Sequence, residues 1–396
     1  MKVECLLCKD ALTAFHNFSR KALFNKPLRS PLPDATTEMA LGYCERCRHI
    51  SSATQPPPAY SNFRDKIYGE LYEHFAPTSI SLLQQEYTVF VSNWLSDFLG
   101  PESRILEVGC HDGFFLELLS QRGHKCHGVE PSPFAEIART KPGLSIVRGF
   151  YKSDYFEKGS YDLVVAKHVV EHVADPVAFV RDISVVVKDG GYAYFEVPNS
   201  YISLEQGYFP EFHVDHISYF TSCSLAKLLH LCGFSVVVHL ETVYAYMKFP
   251  FINVLVRKGN KSTPAPGSPG QRWFQDFLIR RIIDRFCARY PLYVERLRKL
   301  TSNGTLGVWG AGSCGTQYAI DAGWSRDRVV FVDPNPSNQG LFLSVTGHPV
   351  CPPESLNDIE LASILIASGW EQDVITQIRA ALPRNVDVMT FSDLIR

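Results

Sequence analysis

No run in this 396-residue sequence approaches the roughly 18 consecutive apolar residues that a membrane helix needs, so no spanning helix is expected. Charge of one sign is also scarce. The 39 Lys and Arg residues against 41 Asp and Glu residues leave a net charge of −2, a poor electrostatic footprint for a protein whose main partner is a nucleic-acid backbone. An even cysteine count is missing too, and eleven cysteines exclude a complete intramolecular disulfide framework. The opening MKVECLLCKDAL places a cysteine pair where a signal peptide would carry its apolar region, so a cytoplasmic location is expected. No internal repeat of solenoid type is present.

What is there is the composition of a globular protein, 45% hydrophobic and 20% charged, in a chain long enough for two or three domains. Residues 1–75 are weakly periodic and too small a unit to bury much apolar surface, so they need an outside staple. Residues 76–262 alternate helical patterns with buried-strand runs such as RILEVG, YDLVVA, YAYFEV and FSVVVHLE, which predicts a doubly wound α/β sheet. The Pro, Gly and Ser stretch GNKSTPAPGSPGQ opens a linker and helical connection over 263–300, predicted as one helix or two meeting near Pro291. Residues 301–396 begin a second, Rossmann-like α/β unit.

Cys5-x2-Cys8 and Cys44-x2-Cys47 lie 35 residues apart. A two-residue spacing lets both thiolates of a pair reach one ion, and four thiolates close the tetrahedral shell of structural zinc. A redox CxxC would sit beside a βαβ unit, which this segment does not offer. His49 is an alternative ligand.

The stretch RILEVGCHDGFFLELL reads as a strand, a glycine turn and a helix start. Glu107 ends the strand, Gly109 and Gly113 permit close backbone approach, and Glu130 ends the next strand seventeen residues after Gly113, where a carboxylate can accept both hydroxyls of a ribose. A second glycine loop, Gly310-x-Gly312-x-x-Gly315, is followed eighteen residues later by Asp333. By spacing this is a dinucleotide fingerprint, and it opens a competing expectation of a nicotinamide cofactor and an oxidoreductase or bifunctional enzyme. The unit is only about 95 residues long, too short for two complete mononucleotide halves. A nucleotide-substrate role, with helix N-terminal amides meeting a diphosphate, is therefore the expectation for these four residues.

The first loop resembles the S-adenosylmethionine loop of class I methyltransferases, and KHVVEHVADP with VVKDGGYAYFEVPN matches the fourth and fifth strand regions of that fold. The order of cysteine module, methyltransferase core, linker and Rossmann-like unit resembles the sugar C-methyltransferases of deoxysugar biosynthesis over nearly the whole chain. That resemblance implies structural zinc, S-adenosylmethionine as cofactor with His168 among its contacts, and a nucleotide-linked keto-sugar as small-molecule substrate. The family's Tyr-His-Glu-His-x-Ser-Tyr-Phe pattern falls on PEFHVDHISYF, with its final histidine at His216, its glutamate on Asp215 and its tyrosine on His213. An upstream aromatic repeat falls on Phe75, Pro77 and Ser79, and His172 matches the family's histidine near the methyl donor.

C-methylation beside a ketone needs a base for the α-proton and a donor for the enolate oxygen. The expectation is His216 as base, Asp215 or His213 as its orienting or donating neighbour, and His172 near the enolate oxygen. O-methylation of a sugar hydroxyl asks the same base for one deprotonation, and the residues leave the two open. Metal binding by His213, Asp215 and His216 competes with this assignment, although the three lie in a loop entering a helix rather than on a preorganised HxxxH face. Thr221 or Ser222 is expected to cap that helix.

Overall fold

The computed structural model describes residues 3–54, 82–243, 250–259, 269–368, 371–382 and 386–395. The positions Phe75, Pro77 and Ser79, the boundary near residue 75 and most of the Pro, Gly and Ser stretch lie outside them. No helix among the described residues is long and apolar enough to cross a membrane.

Three sheets organise the described residues. The central one is built from β4 (Arg104–Val108), β5 (Lys125–Glu130), β6 (Leu144–Arg148), β7 (Tyr161–Lys167), β8 (Val187–Pro198), β10 (Phe234–Val243) and β11 (Pro250–Lys258), in the order β10-β11-β8-β7-β4-β5-β6. β11 runs antiparallel to both of its neighbours, whereas β4 to β8 pair in parallel. β4 and β7 are buried almost end to end, as parallel strands covered on both faces must be, which explains why they read as continuous apolar runs rather than alternating ones. This is the expected class I methyltransferase sheet, and it carries the expected glycine loop at the carboxyl end of β4.

The N-terminal sheet comprises β1 (Thr13–Ala22), β2 (Thr36–Tyr43) and β3 (Ile50–Ser52), and it recruits β9 (Ser218–Tyr219) from beyond the central strands. β9 pairs with β3 antiparallel, Ile50 opposite Tyr219 and Ser51 opposite Ser218. Register shifts interrupt the pairing of β1 with β2 twice, so the alternation that would betray a strand is broken in the sequence. The C-terminal sheet holds β12 (Thr305–Trp309), β13 (Val329–Val332), β14 (Val350–Cys351), β15 (Leu361–Ile366) and β16 (Val388–Met389), all parallel in the order β14-β13-β12-β15-β16.

One hydrophobic core joins the N-terminal sheet, the 208–219 segment, the helix Pro269–Lys299 and the C-terminal sheet. Phe18 and Ile50, Phe209 and Phe212, Phe286 and Leu297, and Leu306 and Phe331 all belong to it. The 31-residue helix is thus a core element, and it continues through Pro291 as a single helix. An interior proline costs about 3 kcal/mol, and the buried Phe286 and Tyr293 on either side of it supply packing that offsets this. Arg48 pairs with Asp276 at 2.7 Å and Arg280 with Glu45 at 2.6 Å, tying the helix to the second cysteine knuckle.

Candidate functional site

β4 delivers its chain into a turn that only glycine tolerates. Gly109 and Gly113 adopt φ of 74° and 77°, and a Cβ on Gly109 would lie 2.8 Å from Val169 Cγ2. On Gly113 it would lie 3.0 Å from Ala138 Cβ and Leu144 Cδ1. Glu130 stands at the end of β5, where its Oε2 accepts from the His111 amide at 3.0 Å and its Oε1 from the Ser132 amide at 2.8 Å. Each oxygen keeps lone-pair capacity for a further donor, the arrangement a ribose diol requires. Replacing Glu130 by alanine is expected to weaken S-adenosylhomocysteine binding about tenfold or more, as loss of hydrogen bonds to a charged acceptor implies. Calorimetric titration checks this, and unchanged affinity would remove Glu130 from the ribose role. Glu107 lies lower in the site. Burial raises its pKa against the pull of Lys167, whose Nζ is 3.1 Å away, and its Oε2 is buried without a hydrogen-bond partner.

The residue that crowds Gly109, Val169, begins the second wall of the site. Its neighbour His168 has φ of 53° and places its ring between two carboxylates, Nε2 being 2.9 Å from Glu196 and Nδ1 3.4 Å from Glu171. Burial opposes a charge there, but Glu171 and Glu196 outweigh it and raise the His168 pKa to about 10. Four residues after His168, His172 Nδ1 donates to the Asp215 carbonyl at 2.8 Å. The glycine loop and the histidine segment therefore share residues 168–172 as one wall.

The PEFHVDHISYF segment forms a 3₁₀ turn at Phe209–Glu211 and then β9, rather than running directly into a helix. The helix follows at Ser222–Leu231, capped by Thr221 in a reciprocal box with Ser224. The segment is held from two sides, since the Ile217 amide donates to the Glu171 carbonyl at 2.8 Å and the Ile217 carbonyl accepts from the Ser52 amide at 3.0 Å. It brings His213, Asp215, His216 and His172 together. The His213 ring hydrogen-bonds Asp215 and lies 3.8 Å, centroid to centroid, from His216, whose ring is 4.7 Å from that of His172. Behind them stand two carboxylates that sequence reasoning missed, Glu171 and Glu211.

Electrostatics divide the imidazoles. Burial opposes a charge on His213, but the adjacent Asp215 carboxylate outweighs it and holds the pKa above its ordinary value. Asp215 itself, which burial would raise, is held well below the usual carboxylate range by His213 and then His172 and His216. Burial pushes His216 far down, with the charges of His213 and His172 adding to the effect. Burial also raises Glu211, whose Oε1 lies 3.6 Å from His216 Nδ1, to about 7.

The C-terminal glycine loop repeats the first in miniature. A Cβ on Gly310, at φ of 112°, would lie 2.7 Å from the Ala367 carbonyl oxygen, and one on Gly315 would lie 2.2 Å from that of Gly310. Gly312 meets nothing within 4 Å, so the backbone there is open to a ligand. Asp333 accepts from the Ala311 and Asn335 amides at 3.0 and 2.9 Å, in the manner of Glu130.

The four cysteine sulfurs lie within 4.8 Å of one another. Both knuckles fold alike: the Lys9 amide donates to the Cys5 carbonyl at 2.9 Å and the Arg48 amide to the Cys44 carbonyl at 2.7 Å, with Lys9 and Arg48 at φ of 63° and 56°. Such a set fits a closed tetrahedral ion. His49 is fully buried with its ring against Phe220, 5.1 Å away, and does not join the sulfur cluster.

Residues 80–239 match the family model described as a methyltransferase domain. The ubiquinone biosynthesis O-methyltransferase of Bordetella avium is 31% identical over 115 residues, 27% of this chain and 48% of that protein. Its namesake from Pseudomonas savastanoi is 30% identical over 115 residues, 27% and 50% of the two chains. The chain thus spans about half the length of the curated relatives it matches. Among solved structures, the Burkholderia thailandensis 1,6-didemethyltoxoflavin-N1-methyltransferase is similar with a TM-score of 0.43 and 15% identity over 56% of this chain and 96% of that one. The Synechocystis magnesium protoporphyrin IX methyltransferase is similar with a TM-score of 0.41 and 14% identity over 50% and 99%.

Proposed function

We propose that this chain, whose residues 80–239 match a methyltransferase domain on a class I sheet, is an enzyme that uses S-adenosylmethionine to methylate a nucleotide-linked keto-sugar at the carbon beside its ketone, and that its four N-terminal cysteines hold structural zinc. The observation that carries the acceptor reading is the shared placement of three features. The first glycine loop abuts the wall that bears His172, the imidazoles line that wall, and the Ile217 amide beside His216 is fixed to it through the Glu171 carbonyl.

S-adenosylmethionine, when bound, supplies an electrophilic methyl group. Glu130 would accept the ribose hydroxyls, and Gly109 and Gly113 would let the backbone approach the cofactor. The open backbone at Gly312 suits a diphosphate, and Asp333 suits the hydroxyls of a nucleoside sugar. His213 and His216 would handle the α-proton and the developing enolate, since their surroundings push their pKa values in opposite directions. O-methylation of a sugar hydroxyl is the second reading, favoured by the O-methyltransferases among the relatives.

Incubating the enzyme in deuterated water with S-adenosylhomocysteine and thymidine-diphosphate keto-sugars, followed by mass spectrometry, separates the two. Enzyme-dependent deuterium incorporation at carbon is expected. A keto-sugar that binds without exchanging would favour the hydroxyl as the methylated group.

A further inference from the structure

We propose that Glu171, His172 and His216 bind one divalent cation, separate from the ion of the cysteine cluster, and that this cation holds the acceptor's oxygen. One ligating atom of each residue lies within 4.8 Å of the others. Donors around a first-row metal at about 2.0–2.1 Å stand roughly 3–4 Å apart, so only a small side-chain adjustment is needed.

The hydrogen bonding selects the ligating nitrogens. A ring nitrogen that bonds a carbonyl oxygen must carry the proton, so the contact of His172 Nδ1 with the Asp215 carbonyl at 2.8 Å leaves the lone pair on Nε2. His216 turns its Nδ1 toward Glu211 Oε1 at 3.6 Å, which again leaves Nε2 for a ligand. A backbone carbonyl behind one imidazole and a carboxylate behind the other is the support that metal-bound histidines use to set tautomer and ring orientation.

Glu171 provides the independent observation. It is 1% exposed and neither of its carboxylate oxygens has a hydrogen-bond partner. Its ionic neighbour His168, at 3.4 Å, lies closer to Glu196, at 2.9 Å. Glu171 thus shares one imidazole with Glu196 and keeps buried acceptor capacity that a cation would take up. The ligands are preorganised across two segments, because the Glu171 carbonyl accepts from the Ile217 amide beside His216.

Two imidazole nitrogens and one carboxylate suit manganese, iron, cobalt, nickel or zinc better than calcium. Three protein ligands leave positions open, as in catalytic rather than structural sites. The consequence for His216 is specific. Its free lone pair is occupied, so proton acceptance passes to His213, which Asp215 orients. That role rests on the methyl-transfer reading, whereas the binding does not.

The test uses the full-length protein with its cysteine site loaded with zinc, and follows manganese(II) binding by the loss of the free-ion electron paramagnetic resonance signal. One manganese per chain is expected. Glu171→Gln and His172→Gln should each raise its dissociation constant about tenfold or more, with zinc content and circular dichroism unchanged. His172→Gln, at a partly accessible side chain, keeps the question open to answer if Glu171→Gln fails to fold. No manganese binding by the wild-type protein up to millimolar concentration overturns the proposal, as does binding that both variants retain at full strength. Manganese binding that depends on these residues in a protein that methylates no sugar would uphold the cation site and count against the acceptor reading alone.

Discussion

With the four cysteines holding zinc as proposed, Cys44→Ser is expected to lose the metal, the soluble fold and all methyl transfer together. Structural zinc sites of this kind contribute roughly 10–16 kcal/mol of apparent binding free energy, comparable with or larger than the net stability of a whole domain. The sulfurs are embedded, with Cys5, Cys44 and Cys47 buried against Phe220 and the helix Ser222–Leu231 in the same core that covers the central sheet. Removing one thiolate leaves three others crowded in that core. The damage then travels along the backbone, because Cys44 and Cys47 precede β3, β3 pairs with β9, and β9 begins two residues after His216. The effect on chemistry should therefore exceed the effect on cofactor binding wherever folded protein survives, since the glycine loop and Glu130 belong to the central sheet. Metal analysis, solubility and S-adenosylhomocysteine titration of the variant check each part. Stoichiometric zinc in a soluble Cys44→Ser protein would remove this cysteine from the ligand set.

Substitution of His213 by glutamine should reduce carbon-bound deuterium exchange by about 10²–10⁴, the usual contribution of a positioned acid or base, while leaving S-adenosylhomocysteine affinity and manganese binding near wild type. The side chain hydrogen-bonds Asp215, and its carbonyl accepts from the Tyr219 hydroxyl at 2.8 Å, so the backbone position survives the change. His216→Gln should lose exchange as well, but it should also lose the manganese site. The two variants thus separate proton transfer from cation binding. Exchange by His213→Gln within a few-fold of wild type would return the proton-accepting role to His216, with Glu211 as the carboxylate behind it.

Much of the cofactor side was legible before any coordinates, because its requirements are local. A left-handed turn with no room for a Cβ demands glycine at 109 and 113, and a carboxylate at the next strand end lies at a fixed distance along the chain. The cysteine knuckles are legible for the same reason, since a two-residue spacing alone brings a pair of sulfurs to one ion. The N-terminal strands were less visible, because β1 departs from simple alternation at its register shifts and β9 is only two residues long. The helix Pro269–Lys299 displayed its periodicity but not its task, which depends on the sheets that close around it.

Residues whose partners are set by neighbouring positions, namely the two glycine loops, the knuckles and the apolar strand runs, were determined by the sequence itself. The tertiary structure decided what the histidines face. His172 and Asp215 are 43 positions apart and meet through a side chain and a carbonyl, while Glu171, Glu196 and Glu211 entered the site without any motif to announce them. Periodicity and backbone conformation are properties of contiguous residues, but the charge around an imidazole depends on whichever strands the fold brings beside it, and that is settled only when β9 joins the N-terminal sheet.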